Sequence, residues 1–136
     1  MSMEANKALI RRWYHEVWNG WSEAVADELV VPDVRFQGSL GVTVAGISGL
    51  REYMRRVREA FPDFHNEIEE RVADGERVAV RVTYTGTHRG EMYGIAPTGR
   101  AIRYGGAAFF TIVDGKVREG WVLGDVASLR RQLEEP

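Results

Sequence analysis

The chain predicts an α+β fold in which helices pack on one face of a curved antiparallel sheet. Three observations lead there. Early in the chain, apolar residues recur every three to four positions, the spacing of a helix face. After Pro62 the period drops to two, the spacing of a strand. Asp-Gly pairs at 74–75 and 114–115 then separate alternating runs, as hairpin turns do. Helices first, a run of long strands next and a short helix last is an α+β order.

The first helix is expected over NKALIRRWYHEVWNG, where Leu9, Ile10, Trp13, Tyr14, Val17 and Trp18 share one broad apolar face. Gly20 ends it. Ser22 caps a second helix, SEAVADELV, which stops before Pro32. PDVRFQG reads as a short strand carrying Phe36. Ser48 is the expected cap of a third helix, SGLREYMRRVREAF, with Leu50, Tyr53, Met54, Val57 and Phe61 inward, ended by Pro62.

In the strand DFHNEIEERVA, alternation sets Phe64, Ile68 and Val72 against His65, Glu67, Glu69 and Arg71. Its hairpin partner, ERVAVRVTYTGTHRG, puts Val78, Val80, Val82 and Tyr84 on one face. A breaker-rich loop, EMYGIAPTG, leads into RAIRYGGAAFFTIV. The last strand is KVREGWVL, and a final helix starts near Asp125 with Leu129 and Leu133 inward.

At 136 residues the chain suits one domain, 1–136, with one core. Its 44% hydrophobic and 28% charged residues are an ordinary globular mix, and a net charge of -2 argues against a nucleic-acid or anionic-membrane partner. The absence of cysteine excludes disulfides and thiolate chemistry. His15, His65 and His88 are not at metal-ligand spacing, so no metal or cofactor is expected. MSMEANKALIRR lacks a signal-peptide core, and no apolar run is long enough to span a bilayer. A cytoplasmic protein with a small-molecule partner is expected, and the pocket residues below make that partner hydrophobic.

ANKALIRRWYHEVWNG, GLREYMRRVREAFPDF, VAVRVTYTGTHRGEMYGIAPTGR and VDGKVREGWVLGDVASLRRQL together resemble the SnoaL-like branch of the NTF2-like superfamily. The resemblance covers nearly the whole chain, and GTHRGEMYGIAPTGR is its most specific piece. It implies a conical α+β fold with a deep pocket, and a homodimer formed through the sheet. Characterised members include polyketide cyclases that close rings by intramolecular aldol condensation without a cofactor. Their acid/base carboxylate matches Val122 here, and the histidine that assists it matches Ala108. An aldol cyclase needs a base for an α-proton and a donor for the oxyanion, and neither side chain supplies one. A more distant relative, limonene-type epoxide hydrolase, uses an Arg and an Asp two apart. Arg81-Val82-Thr83 keeps the Arg and has Thr where the Asp would stand, with Asp125 near the position of a second carboxylate.

The candidate site follows from these comparisons. Asp125 and His88 are the candidate acid/base groups. Asp125 also has the position of a helix cap, and His88 that of a histidine bonded to the loop after it. Tyr14, Trp18, Phe36, Tyr53, Tyr104, Ala108, Trp121 and Val122 are the expected ligand wall. Arg81 is expected to pair with Glu67 or Glu69 across the hairpin. The Arg-rich run REYMRRVRE reads as a solvated helix face. Gly105-Gly106-Ala107-Ala108 puts four small side chains in mid-strand, where a helix packs closely, the cavity floor opens or a bulge bends the strand; combined with Val122 the run suggests a roomy, apolar pocket. Three readings follow: an enzyme using Asp125 and His88 with Tyr14 and Tyr53 as donors, a non-catalytic binding domain, and a sheet-mediated assembly module with a filled interior.

Overall fold

A computed structural model describes residues 2–135. Helix α1 (Met3–Arg12) starts at Ser2, whose hydroxyl accepts the Ala5 N–H at 3.1 Å. The first helix does not run on uniformly to Gly20. Trp13–Trp18 widens into a π-helical turn, closed by Asn19 N–H donating to Tyr14 O at 2.9 Å. The extra residue per turn lets Trp13, Tyr14, Val17 and Trp18 all face the core, and all four are buried. Helix α2 (Glu23–Leu29) is capped by Ser22, as its sequence indicates.

Strand β1 (Val30–Gln37) begins earlier than PDVRFQG suggests, and a short strand, β2 (Thr43–Ala45), was not foreseen. Helix α3 (Gly46–Ala60) corrects the Ser48 cap. Its N-cap is Ala45, three residues earlier and with no side-chain bond, because Gly46 at φ +76° swings the chain straight out of β2. Strands β3 (His65–Asp74), β4 (Arg77–Thr87), β5 (Ala101–Val113) and β6 (Lys116–Gly124) follow, then helix α4 (Val126–Glu134).

The six strands form one sheet in the order β2-β1-β6-β5-β4-β3. It is mixed rather than wholly antiparallel, because β1 runs parallel to β6. Helix α1 packs on β3 and α3 on β1, so the helices close the concave face and leave β5 and β6 as its floor.

A bulge between Ile68 and Glu70 corrects two readings of β3. It inserts one residue, which reverses the faces beyond it. Val72 is therefore 59% exposed rather than inward. Arg81 pairs with Glu70, at 3.3 Å, instead of Glu67 or Glu69.

Candidate functional site

The concave face is a cluster of aromatic rings. Trp13 meets Phe36 edge-on at 5.5 Å, Trp18 meets Tyr53 at 5.7 Å, and Tyr14 meets Phe110 at 6.0 Å. On the sheet side, Tyr84 lies 4.8 Å from Tyr104 and stacks on Phe64 at 5.8 Å. Between these groups sits an inner cavity walled by Tyr14, Trp18, Phe36, Tyr53, Tyr84 and Val122, among others. It is narrow: the centre of a water molecule has only about 20 Å³ to occupy.

This corrects the roomy pocket expected from Gly105–Ala108. A side chain on Gly106 would stand 2.8 Å from the Tyr84 ring, so the space its missing Cβ leaves is taken by that ring. Gly120 does the same for Phe36 and Phe110. Glycines on the inner face make room for rings, and the rings then fill the cone.

Four phenols reach this region. Burial pushes the hydroxyls of Tyr14, Tyr53, Tyr84 and Tyr104 well above the usual tyrosine value, so all four are neutral at physiological pH. The Tyr104 hydroxyl shares a 2.9 Å hydrogen bond with Ser39 Oγ, and Tyr53 Oη accepts the Leu40 N–H at 3.4 Å. The Tyr14 hydroxyl is buried on the cavity wall and has no protein partner among the described residues.

Val122 and Ala108 are direct cross-strand partners in the β6–β5 ladder, and both are buried on the inner face. The two positions at which the resemblance leads one to expect the cyclase groups thus face the same interior, and neither valine nor alanine can transfer a proton. Trp121 stands elsewhere than expected. It is 41% exposed on the outer face, because residues next to each other in a strand point to opposite sides and Val122 takes the inner one. There Trp121 lies 6.1 Å from Phe109, beside the exposed Leu123.

Asp125 is exposed and lies outside the cavity wall. Its Oδ1 accepts the Ser128 N–H at 3.0 Å, which makes it the N-cap of α4. His88 is fully buried against Phe61, and its Nδ1 accepts the Thr98 N–H at 3.1 Å. That bond puts the proton on Nε2, which has no partner among the described residues. His88 ties the end of β4 to the 91–99 loop and is not among the cavity-lining residues.

A second compartment, a vestibule, shares Tyr53 and Val57 with the inner cavity. It is wider, with about 220 Å³ open to a water's centre, between the β1–β2 turn, α3 and residues 90–92. The Tyr93 hydroxyl donates to Leu40 O at 2.9 Å across its edge, and Arg130 stacks on the Tyr93 ring at 4.6 Å. Burial pushes the Tyr93 hydroxyl up to about 12, with Arg130 acting against it. Sequence reasoning missed Leu40, Val42, Arg56 and Met92 here. It also missed Tyr84 and Asn66 in the cavity wall, although both share an inward alternation with residues it did place inside.

The fold and these positions are those of a known family. The family model for SnoaL-like polyketide cyclases matches residues 8–133. The chain belongs to that family. A protein of Jannaschia sp. CCS1, named as SnoaL-like polyketide cyclase, is 25% identical with a TM-score of 0.90, covering 98% of this chain and 94% of its own. AclR from Streptomyces galilaeus is 31% identical with a TM-score of 0.84, covering 99% of this chain and 84% of its own. IdmH from Streptomyces antibioticus is 26% identical with a TM-score of 0.81, covering 94% and 97%. No curated protein matches the chain in sequence. Among the described residues, no helix of this SnoaL-like chain is long and apolar enough to cross a membrane.

Proposed function

We propose that this SnoaL-like protein holds a hydrophobic small molecule in its ring-lined cone by shape and aromatic contact, without the acid/base chemistry of a cyclase. One observation carries the reading: among the described residues, no carboxylate or imidazole lines the inner cavity, and Val122 faces Ala108 where the cyclase pair would stand. Ring faces and neutral phenols bind an apolar body and accept or donate a few hydrogen bonds. They do not abstract an α-proton near neutral pH. The reading requires rings to move as a ligand seats in the narrow inner cavity, and the wider vestibule, which shares Tyr53 and Val57 with it, is the proposed way in.

The test uses the neutral fluorescent hydrophobe N-phenyl-1-naphthylamine. Saturable binding is expected, weakened by Trp18→Ala in protein whose circular dichroism is native. Asp125→Asn and His88→Gln are expected to leave the affinity unchanged. No saturable binding, or loss of binding in Asp125→Asn, overturns the reading.

The free Tyr14 hydroxyl favours a second reading, in which it donates to a ligand carbonyl and stabilises an oxyanion. In that case a turnover assay on a carbonyl substrate collapses in Tyr14→Phe and survives in Asp125→Asn. The reading also includes a homodimer through the outer sheet face, on the strength of the exposed Phe109, Trp121 and Leu123. Trp121→Lys is then expected to halve the mass in sedimentation equilibrium, and an unchanged mass removes the sheet interface.

A further inference from the structure

The Arg-rich run on α3 is not uniformly a solvated face. Arg51 pairs with Asp27, and Arg55 with Glu23 at 2.7 Å, both on α2. Arg58 stacks over the Trp21 ring at 5.5 Å. Arg56 differs from all three. It is exposed, makes no ion pair and no side-chain hydrogen bond among the described residues, and lines the vestibule.

The surroundings of Arg56 favour a ligand with two ends. Leu40, Val42, Val57 and Met92 supply apolar walls. Burial raises the Tyr53 hydroxyl, and the Arg56 charge acts against that rise, so its field reaches the wall shared with the inner cavity. Two carboxylates, Glu59 and Glu91, share the vestibule with Arg56 and keep their charge, but neither is bonded to it: Glu91 accepts the Gly94 N–H at 2.5 Å and Glu59 is exposed, so the guanidinium hydrogens of Arg56 are free to bind a ligand.

The geometry points to the vestibule as an anion-reading entrance: it binds an amphipathic organic acid, with the apolar body against Leu40, Val57 and Met92 and the carboxylate on Arg56. A guanidinium suits a carboxylate because its planar fork donates two parallel hydrogen bonds. The inference rests on the pocket reading above and adds the charge of the ligand to it.

A matched pair of probes tests it, 2-naphthoate and the uncharged 2-naphthamide, which share one shape. Amide chemical-shift changes locate each probe, and calorimetry gives its affinity. Wild type is expected to shift at Leu40, Val42 and Met92, and to bind the acid about tenfold tighter than the amide. Arg56→Gln is expected to bring the two within about twofold while leaving the amide affinity as it was. Arg55→Gln, which removes a guanidinium already paired with Glu23, is expected to keep the full preference. Equal binding of both probes by wild type, or a preference that survives Arg56→Gln, overturns the inference and leaves the pocket reading standing. If neither probe shifts the vestibule amides, the pocket reading falls and this one with it.

Discussion

Gly106→Ala puts the packing argument under direct strain. An added Cβ would meet Tyr84 Cε2 at 2.8 Å, the Tyr84 hydroxyl oxygen at 3.2 Å and the Leu123 carbonyl oxygen at 2.9 Å. Unstrained contacts of this kind lie at about 3.5–4.0 Å. Leu123 O is backbone of the neighbouring strand and cannot rotate away. The Tyr84 ring is held between Phe64 and Tyr104 and has only the narrow inner cavity, about 20 Å³, to move into. Overpacking of this kind costs about 1–3 kcal/mol. Replacing glycine in a strand returns about 0.5–1 kcal/mol through chain entropy. The expected net loss is about 1–2 kcal/mol. In urea this lowers the midpoint by roughly 0.5–1 M with an unchanged slope. Gly105→Ala is the control one residue away. Its Cβ would point outward, with Val82 O at 3.8 Å as nearest neighbour, so its midpoint should hold or rise. Equal shifts for the two variants would refute the claim that Gly106 exists to seat the Tyr84 ring.

Two further outcomes follow from the same geometry. Asp125→Ala should cost about 1 kcal/mol of stability through the lost α4 cap, and Asp125→Ser should restore most of it, both read by thermal unfolding. An equal loss in Asp125→Ser would show that the carboxylate does more than cap. Asp63 links stability to pH. Partial burial pushes its carboxyl up, but hydrogen bonds from the Thr87 hydroxyl and N–H, with the Arg89 charge, hold it below the usual 3.8. A depressed carboxyl stabilises the fold above its unfolded value, and that contribution disappears as pH falls through the folded one. Wild type should therefore lead Asp63→Asn at neutral pH, and the gap should close below about pH 4. A gap that persists to pH 2 would mean that the bonds to Thr87 do not depend on the charge.

Much of the fold was legible because its signals are local. Ser22 stands before a helical repeat and caps it. Asp74-Gly75 and Asp114-Gly115 turn the hairpins where a left-handed backbone is required, with Gly75 at φ +58° and Gly115 at φ +75°. Val78, Val80, Val82 and Tyr84 alternate inward as their spacing demands. Some errors came from single-residue insertions that leave no mark in composition: the bulge before Glu70 turned Val72 outward. The π-helical turn at Trp13 is another such insertion, and it kept the predicted aromatic face inward.

The candidate site was legible only in outline. Tyr14, Trp18, Phe36, Tyr53 and Val122 reached the cavity wall because their elements' apolar faces already pointed there. Whether the small residues of β5 opened a space or filled one depended on Tyr84, a residue on another strand. Which arginine of REYMRRVRE was unpaired depended on where Asp27, Glu23 and Trp21 fell.

By itself the sequence determined the α+β class, the order of elements, the hairpins and the apolar identities of Val122 and Ala108, since periodicity, turn chemistry and side-chain identity are properties of the chain. Only the tertiary structure decided the cavity's width, the outward turn of Trp121, the role of Asp125 as a cap outside the cavity and the unbonded guanidinium of Arg56. Each of those depends on distances between residues far apart in sequence, and such distances are set by packing and register rather than by any local preference.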